Sequence, residues 1–422
     1  MDALSNNFLW GASTAAHQVE GNNIRSDWWE LETGVARGIF EPSGAAVDSY
    51  NRYPEDMKLL ADAGLNAYRF SIEWARIEPT DGAFDDRELA HYRAMIDEAM
   101  KNGLTPVVTL HHFTHPQWFT HRGGWTAPDA VEKFTRYVRK ATEILDDVEW
   151  VITINEPNVL TLMFRIVEAF EPGAAAVSAA GARLPLPSLE YGARLAEAHR
   201  AARDVLHEHT TAKVGWSIAA QALTSTPGNE EKFREVKYAW EDFYFEVARD
   251  DDFVGLQSYT SQPVDADGLV PHPDHPDNTL TGWAYRPDAI GIALRNAADT
   301  VGDVPILITE NGIATADDAR RIAYTTGALS AMVAAISDGI DVRGYLHWSA
   351  LDNYEWGHWA PTFGLIGVDH DTFVRTPKPS LAWLGRVANR ATAEWAAIST
   401  TEAEPAYDPV ATGGDAPLRG RD

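Results

Sequence analysis

Eight short runs rich in β-branched and aromatic residues recur along this chain, at 8–16, 66–74, 105–113, 150–156, 213–219, 252–259, 304–310 and 342–349. Helix-like stretches alternate with them, at 53–64, 87–103, 128–147, 189–209, 229–249, 286–301, 317–338 and 379–394. Several carry apolar residues at i, i+3, i+4 and i+7, and the first two stop at Gly64 and Gly103. Strands alternating with amphipathic helices build βαβ units and therefore a parallel sheet. Eight such units in 422 residues predict an α/β fold, a single (β/α)8 TIM barrel with elaborated βα loops. A doubly wound open sheet would carry a Gly-rich phosphate turn after an early strand, and "WGASTAAHQVEG" lacks that spacing. The barrel is expected over residues 1–395. The acidic, Pro-, Gly- and Ala-rich stretch 396–422 reads as a disordered tail.

Two of the runs end alike. "VITINEP" (151–157) and "ILITENG" (306–312) are apolar almost to their ends and then present a Glu beside an Asn. In a barrel of this kind the C-terminal strand ends converge on one pocket, so Glu156 and Glu310 are expected to meet. A lone Glu there would read as an ion-pair partner. Two at matching positions suit cleavage of a glycosidic bond, in which one carboxyl delivers a proton and the other attacks or stabilises the sugar carbon. Other predicted strand ends carry groups that suit a sugar: His17, Gln18, Arg69, His112, Tyr259, Trp348, Glu355 and Trp356. Aromatic faces stack on the C–H faces of a pyranose, and amides, imidazole and carboxylate bind its hydroxyls.

These motifs carry a resemblance. "FLWGASTAAHQVEG" (8–21), "YRFSIEWARIEP" (68–79), "TLHHFTHPQW" (109–118), "TINEPN" (153–158), "ITENGI" (308–313), "WSALDNYEW" (348–356) and "FGLIGVD" (363–369) together resemble glycoside hydrolase family 1, the retaining β-glucosidases and β-glycosidases. The likeness runs over roughly residues 8 to 390. It implies that Glu156 is the acid/base and Glu310 the nucleophile. It also implies that Arg69 and Tyr259 sit against the nucleophile, that Gln18, His112, Asn155, Glu355 and Trp356 hold sugar hydroxyls, and that Trp348 forms the floor. Opposite charge on Arg69 would keep Glu310 ionised, whereas Glu156 needs a raised pKa. Two departures stand out. Gln257 replaces the family's usual Asn two residues before the tyrosine of the sixth strand, and "GHWAPT" (357–362) is one residue shorter than the common form.

Composition narrows the remaining classes. The net charge of −27 opposes electrostatic binding to nucleic acid or anionic membranes. Only 8 of the 35 basic residues are Lys, which fits either a salt-rich cytoplasm or an Arg-favouring genome. The absence of cysteine removes disulfides, thiolate metal sites and thiol nucleophiles. No run of about 18 apolar residues and no signal-like start is apparent, so a soluble, cytoplasmic protein is expected. "HHFTH" (111–115) and "PHPDHPDN" (271–278) lack a carboxylate at helical spacing, so neither a metal nor any other cofactor is expected. "DDD" (250–252) reads as a solvated cap. The expected activity is a retaining exo-β-glycosidase, chiefly a β-glucosidase, on a small-molecule β-glycoside. The alternatives are a 6-phospho-β-glycosidase, opposed by the carboxylate of Glu355, and a catalytically silent sugar-binding relative, opposed by the presence of both glutamates.

Overall fold

The computed structural model describes residues 8–169 and 183–390. The expected domain limit at 395 and the tail over 396–422 lie outside the described residues. Eight parallel strands close into a barrel: β1 (Leu9–Ser13), β2 (Ala67–Ser71), β3 (Thr105–His111), β4 (Trp150–Asn155), β5 (Lys213–Ala219), β6 (Val254–Gln257), β7 (Ile306–Asn311) and β8 (Val342–Trp348). Each strand pairs with its neighbour in the chain, and β8 closes onto β1 from Leu9 opposite Gly344 to Ser13 opposite Trp348. All eight lie within the expected runs, save the last residue of β7.

Inside the barrel, Leu9, Ala67, Val107, Trp150, Ile152, Phe253, Leu307 and Leu346 form a separate buried cluster. They plug the barrel below the strand ends. Strict alternation would next turn Ile154 and Thr309 inward. Instead the pairing shifts register between Ile152 and Asn155 and between Ile308 and Glu310. Such irregularities change the phase of the alternation. They bring Asn155 and Glu310 into the interior while Ile154 and Ile308 pack outward in the main core.

That main core joins the outer strand faces to the helices. Ser49–Ala63, Asp86–Lys101, Ala130–Ala141, Leu189–His209, Ala289–Val301, Asp318–Ser337 and Pro379–Arg390 follow the expected pattern. The expected helix over 128–147 tightens into a 3-10 turn at Thr142–Ile144, and that over 229–249 passes through a π-turn at Tyr238–Asp242. One expectation is corrected. In "DDD", Asp251 is buried, 2.9 Å from both Arg203 and His199, and Asp252 accepts from the Val214 amide. The run anchors the start of β5 and β6 to a helix. No helix among the described residues is long and apolar enough to cross a membrane.

The candidate site residues sit on the strands near their C-terminal ends and on the connections that follow them. The β1 connection supplies Gln18, and the β4 connection opens with Glu156 and a helix starting at Pro157. The β8 connection carries Glu355 and Trp356. Gly312, just past β7, is required by close packing: a Cβ there would lie 2.0 Å from the Trp348 carbonyl oxygen.

Candidate active site

Glu310 enters the barrel mouth from β7 and Glu156 from the residue just past β4. Both line a cavity of about 630 Å³ together with His112, Tyr259, Trp348, Glu355 and Trp356. Arg69, Asn155 and Gln18 are fully buried behind that wall and reach it through hydrogen bonds. Ten of the eleven residues singled out in the sequence are therefore assembled at one place. His17 is not among them. Its Nδ1 faces Asn23 and Ser26 and its Nε2 faces Glu32, while its ring stacks behind Trp356 at 5.8 Å. It braces the wall and cannot reach a sugar.

The two glutamates occupy unlike settings. One oxygen of Glu310 accepts from the Arg69 guanidinium at 2.5 Å and the other from the Tyr259 hydroxyl at 2.5 Å. Among the described residues no hydrogen bond reaches the Glu156 carboxyl. Burial pushes the Glu156 carboxyl well above its usual range, and the Glu310 charge pushes it the same way. Burial raises Glu310 too, but Arg69 and then Tyr259 oppose that rise on its own oxygens. Of the pair, Glu310 is the one that ionises first and Glu156 the one that keeps its proton.

Arg69 can only donate, so the oxygen of Asn155 must face it. That oxygen accepts from Arg69 at 2.5 Å and from Gln257 at 2.8 Å. The Asn155 NH₂ then points to His112 Nε2, 3.2 Å away. Burial and the Arg69 charge hold the His112 imidazole well below its usual range, so the ring is neutral and accepts this bond at Nε2. Gln257, the departure noted in the sequence, thus keeps a contact to the amide beside Glu156. Gln18 Nε2 serves Asn353, Tyr354 and Glu355, and its Oε1 is buried without a partner. Such an orphan acceptor suits a ligand hydroxyl.

Glu355 lies across the cavity, receiving Trp348 Nε1 at 3.2 Å and Gln18 Nε2 at 3.3 Å. Burial raises its carboxyl to about 8, with Glu310 adding and the two donors opposing. His112 stacks near-parallel to Trp348 and Trp356. Glu156, Phe113 and Trp356 have φ of 42°, 66° and 46°. Side-chain residues rarely adopt such values, and when they do the cost is of order 1–3 kcal/mol each. Three such residues around one cavity show that the surrounding structure imposes these positions.

The family model of glycosyl hydrolase family 1 matches residues 1–262 and 247–392. The chain belongs to glycosyl hydrolase family 1. It is accordingly a glycoside hydrolase. Thermostable β-glucosidase B of Thermobispora bispora is 31% identical over 91% of this chain and 90% of its own length. Among solved structures, a β-glycosidase from Pyrococcus horikoshii is 32% identical with a TM-score of 0.84, covering 95% of this chain and 99% of that one. Another crystallised β-glycosidase is 40% identical with a TM-score of 0.82, covering 91% and 96%.

Several residues of this family 1 site escaped sequence reading. Trp283, Gln221 and Phe363 line the cavity, Thr109 receives Arg69 Nε at 3.0 Å, and Asn353 supports Gln18. Trp283 lies in a loop with no periodic signal. Thr109 opens the quoted motif "TLHHFTHPQW", and its inward phase on β3, two residues after Val107, could have flagged it. The other two histidines of "HHFTH" are absorbed by packing: His111 and His115 stack at 5.8 Å, and His115 lies 3.3 Å from Asp27. Among the described residues no group of three or more His, Asp or Glu is placed to hold a metal ion.

Proposed function

We propose that this family 1 enzyme is a retaining exo-β-glycosidase that removes a terminal non-reducing β-D-glucosyl residue, with Glu310 as nucleophile and Glu156 as acid/base. The unequal setting of the two carboxyls carries this reading. Arg69 and Tyr259 hold two donors on Glu310, which favours a carboxylate ready to attack the anomeric carbon. Glu156, buried beside that negative charge, keeps a proton for the departing oxygen. Once Glu310 becomes an ester its charge is gone, and one cause of the raised Glu156 pKa goes with it. Glu156, having given its proton away, then takes one from the water that releases the sugar. The bonds balance with water alone, so no cofactor enters. Asn155 Nδ2 keeps a second hydrogen that can serve the sugar 2-hydroxyl, a contact that strengthens as oxocarbenium character develops.

Preference for a neutral sugar has a revised basis. With Glu355 raised to about 8, its charge does not repel a 6-phosphate at neutral pH. The case rests instead on the lining, which holds three carboxyl groups and no Lys or Arg among the described residues. A phosphate dianion would be desolvated there without a counter-ion. The relatives named above as β-glucosidase and β-glycosidases support the gluco assignment. A cytoplasmic location belongs to the same reading, supported by a Cys-free chain with no use for an oxidising compartment.

The test is hydrolysis of p-nitrophenyl β-D-glucoside and of its 6-phosphate, with the first-formed sugar read by proton NMR. Faster turnover of the neutral substrate and initial release of the β-anomer are expected. An α-anomer first, faster turnover of the phosphate, or no cleavage of either would contradict the reading.

A further inference from the structure

One of the two donors on the nucleophile stands on backbone that the barrel no longer holds. Tyr259 gives its hydroxyl to Glu310 at 2.5 Å, yet β6 ends two residues earlier, at Gln257. The backbone bond that follows, from the Ser258 amide to the Glu310 carbonyl, is long at 3.3 Å. Past that point the strand ladder does not fix the peptide planes. A hydroxyl at the tip of a tyrosine ring follows any turn of the backbone that carries it. A hydrogen bond weakens steeply once its alignment is lost.

Two buried side chains take over the task. Asn311, the residue after Glu310, donates Nδ2 to the Ser258 carbonyl at 2.6 Å. Tyr324, on the helix Asp318–Ser337, donates its hydroxyl to the Tyr259 carbonyl at 2.6 Å. The two also meet, with Asn311 Nδ2 3.4 Å from the Tyr324 hydroxyl. The Tyr345 hydroxyl of β8 donates to Asn311 Oδ1 at 2.9 Å, which sets the amide with its NH₂ toward Ser258. Asn311, Tyr324 and Tyr345 are fully buried and stand behind the cavity wall, so none can touch a sugar. Barrel packing alone does not ask for polar groups here, since burying an amide or a hydroxyl costs free energy unless it is bonded. Their bonds fall on the two successive carbonyls that aim Tyr259.

We propose that Tyr324 and Asn311 are positioning residues for the nucleophile: by holding the Tyr259 and Ser258 carbonyls they keep the Tyr259 hydroxyl on Glu310. The proposal rests on the β-glucosidase reading above, with Glu310 as its nucleophile. The groups that face Glu310 are Arg69 from β2, Glu156 past β4, Tyr259 past β6 and Glu355 past β8. Loss of the Tyr324 hydroxyl removes no charge, and among these groups it unbinds Tyr259 alone.

Tyr324→Phe keeps the ring, which packs edge-on against Tyr285 at 5.6 Å, and deletes the hydroxyl. The Tyr259 hydroxyl favours a carboxylate, so loosening it raises the Glu310 pKa and moves the acid limb of the kcat/KM–pH profile upward. Complete loss of that donor would move the limb by about 1–2 units, and loss of half its strength by about 0.5–1 unit. The expected result on p-nitrophenyl β-D-glucoside is therefore an upward shift of about 0.5–1 unit in Tyr324→Phe, with the basic limb in place. In a Tyr259→Phe background the hydroxyl being aimed is absent, and Tyr324→Phe should move the acid limb no further. Should Tyr324→Phe not fold, Asn311→Ser, too short to hold the Ser258 carbonyl, is read in the same two backgrounds against the same expectation. A purely structural role would lower the melting temperature and leave the acid limb where it is. An acid limb that stays put in the single variant, or moves equally in both backgrounds, would overturn the inference while cleavage by the parent keeps the β-glucosidase reading intact. A parent that does not cleave p-nitrophenyl β-D-glucoside would overturn both.

Discussion

Replacing Tyr259 by Phe removes one hydrogen-bond donor from Glu310 and little else. The ring is held by Trp283 at 5.6 Å and Phe363 at 5.8 Å, contacts a phenylalanine keeps, so the melting temperature should barely change. The lost bond is a hydroxyl on a buried carboxylate at 2.5 Å. Hydrogen bonds to charged groups contribute about 1.5–3 kcal/mol, equivalent to about 1–2 pK units for Glu310. The direction follows from the donor. It favours the ionised form, so its removal raises the Glu310 pKa. Attack needs Glu310 ionised, and the acid limb of the kcat/KM–pH profile, which reports the free enzyme, should move up by about 1–2 units. The basic limb, set by loss of the Glu156 proton, should stay in place because Glu310 is ionised there in both proteins. The bell therefore narrows from its acid side. Both limbs are macroscopic values of the coupled pair, which the comparison between two proteins tolerates. Profiles on p-nitrophenyl β-D-glucoside decide it: an acid limb that stays put or moves down would refute the role given to Tyr259.

Two further outcomes are expected. Stability should fall between pH 6.5 and 8.5. Glu355, raised to about 8 in the folded protein, loses its proton first in the unfolded chain, so its contribution to stability drops as pH rises toward 8, by up to about 1.4 kcal/mol per pH unit for this one group. Glu156, held well above its usual range, adds to the fall. His91 and His347, lowered to about 4 and about 3, act oppositely but only up to about pH 6.5. Melting curves of the parent and of Glu355→Gln should show the fall and its reduction, and identical slopes would contradict the assignment. Gln257→Asn shortens the side chain that donates to Asn155 Oδ1, but Arg69 still holds that oxygen. Activity should change by about tenfold or less, about 1.4 kcal/mol, and an insoluble or thousandfold weaker variant would show that Gln257 is a packing element.

The barrel strands were legible because inward and outward faces of a parallel strand are both buried, which leaves continuous β-branched runs that few other structures need. The phase change that turns Asn155 and Glu310 inward was not, since a register irregularity depends on the neighbouring strand and leaves no local signal. The motif glutamates stood out because a carboxylate closing an apolar strand has no packing reason to be there. His17 was misread for the complementary cause. It follows β1 beside Gln18, but the helix Ala16–Val19 points successive side chains about 100° apart, so Gln18 turns to Glu355 and His17 to Glu32. Burial and the Glu310 charge raise the Glu355 carboxyl, and neither influence is visible in "WSALDNYEW". The apolar cavity that adjoins the active site escaped notice because its wall is assembled from helix, strand-end and loop residues that follow several different strands, and no single stretch of sequence carries it.

The division of labour between the two carboxyls is the centre of the account, and azide rescue tests it most directly. In Glu156→Ala the nucleophile remains, so dinitrophenyl β-D-glucoside, whose leaving group needs no proton, should still form the glycosyl-enzyme and then stall. Azide needs no general base, should release the sugar from that intermediate, and should give the β-glucosyl azide. In Glu310→Ala no glycosyl-enzyme can form, and azide entering from the vacated side should give the α-glucosyl azide. Products from both variants are read by NMR. The account predicts β from Glu156→Ala and α from Glu310→Ala; the same anomer from both, or α from Glu156→Ala, would contradict it.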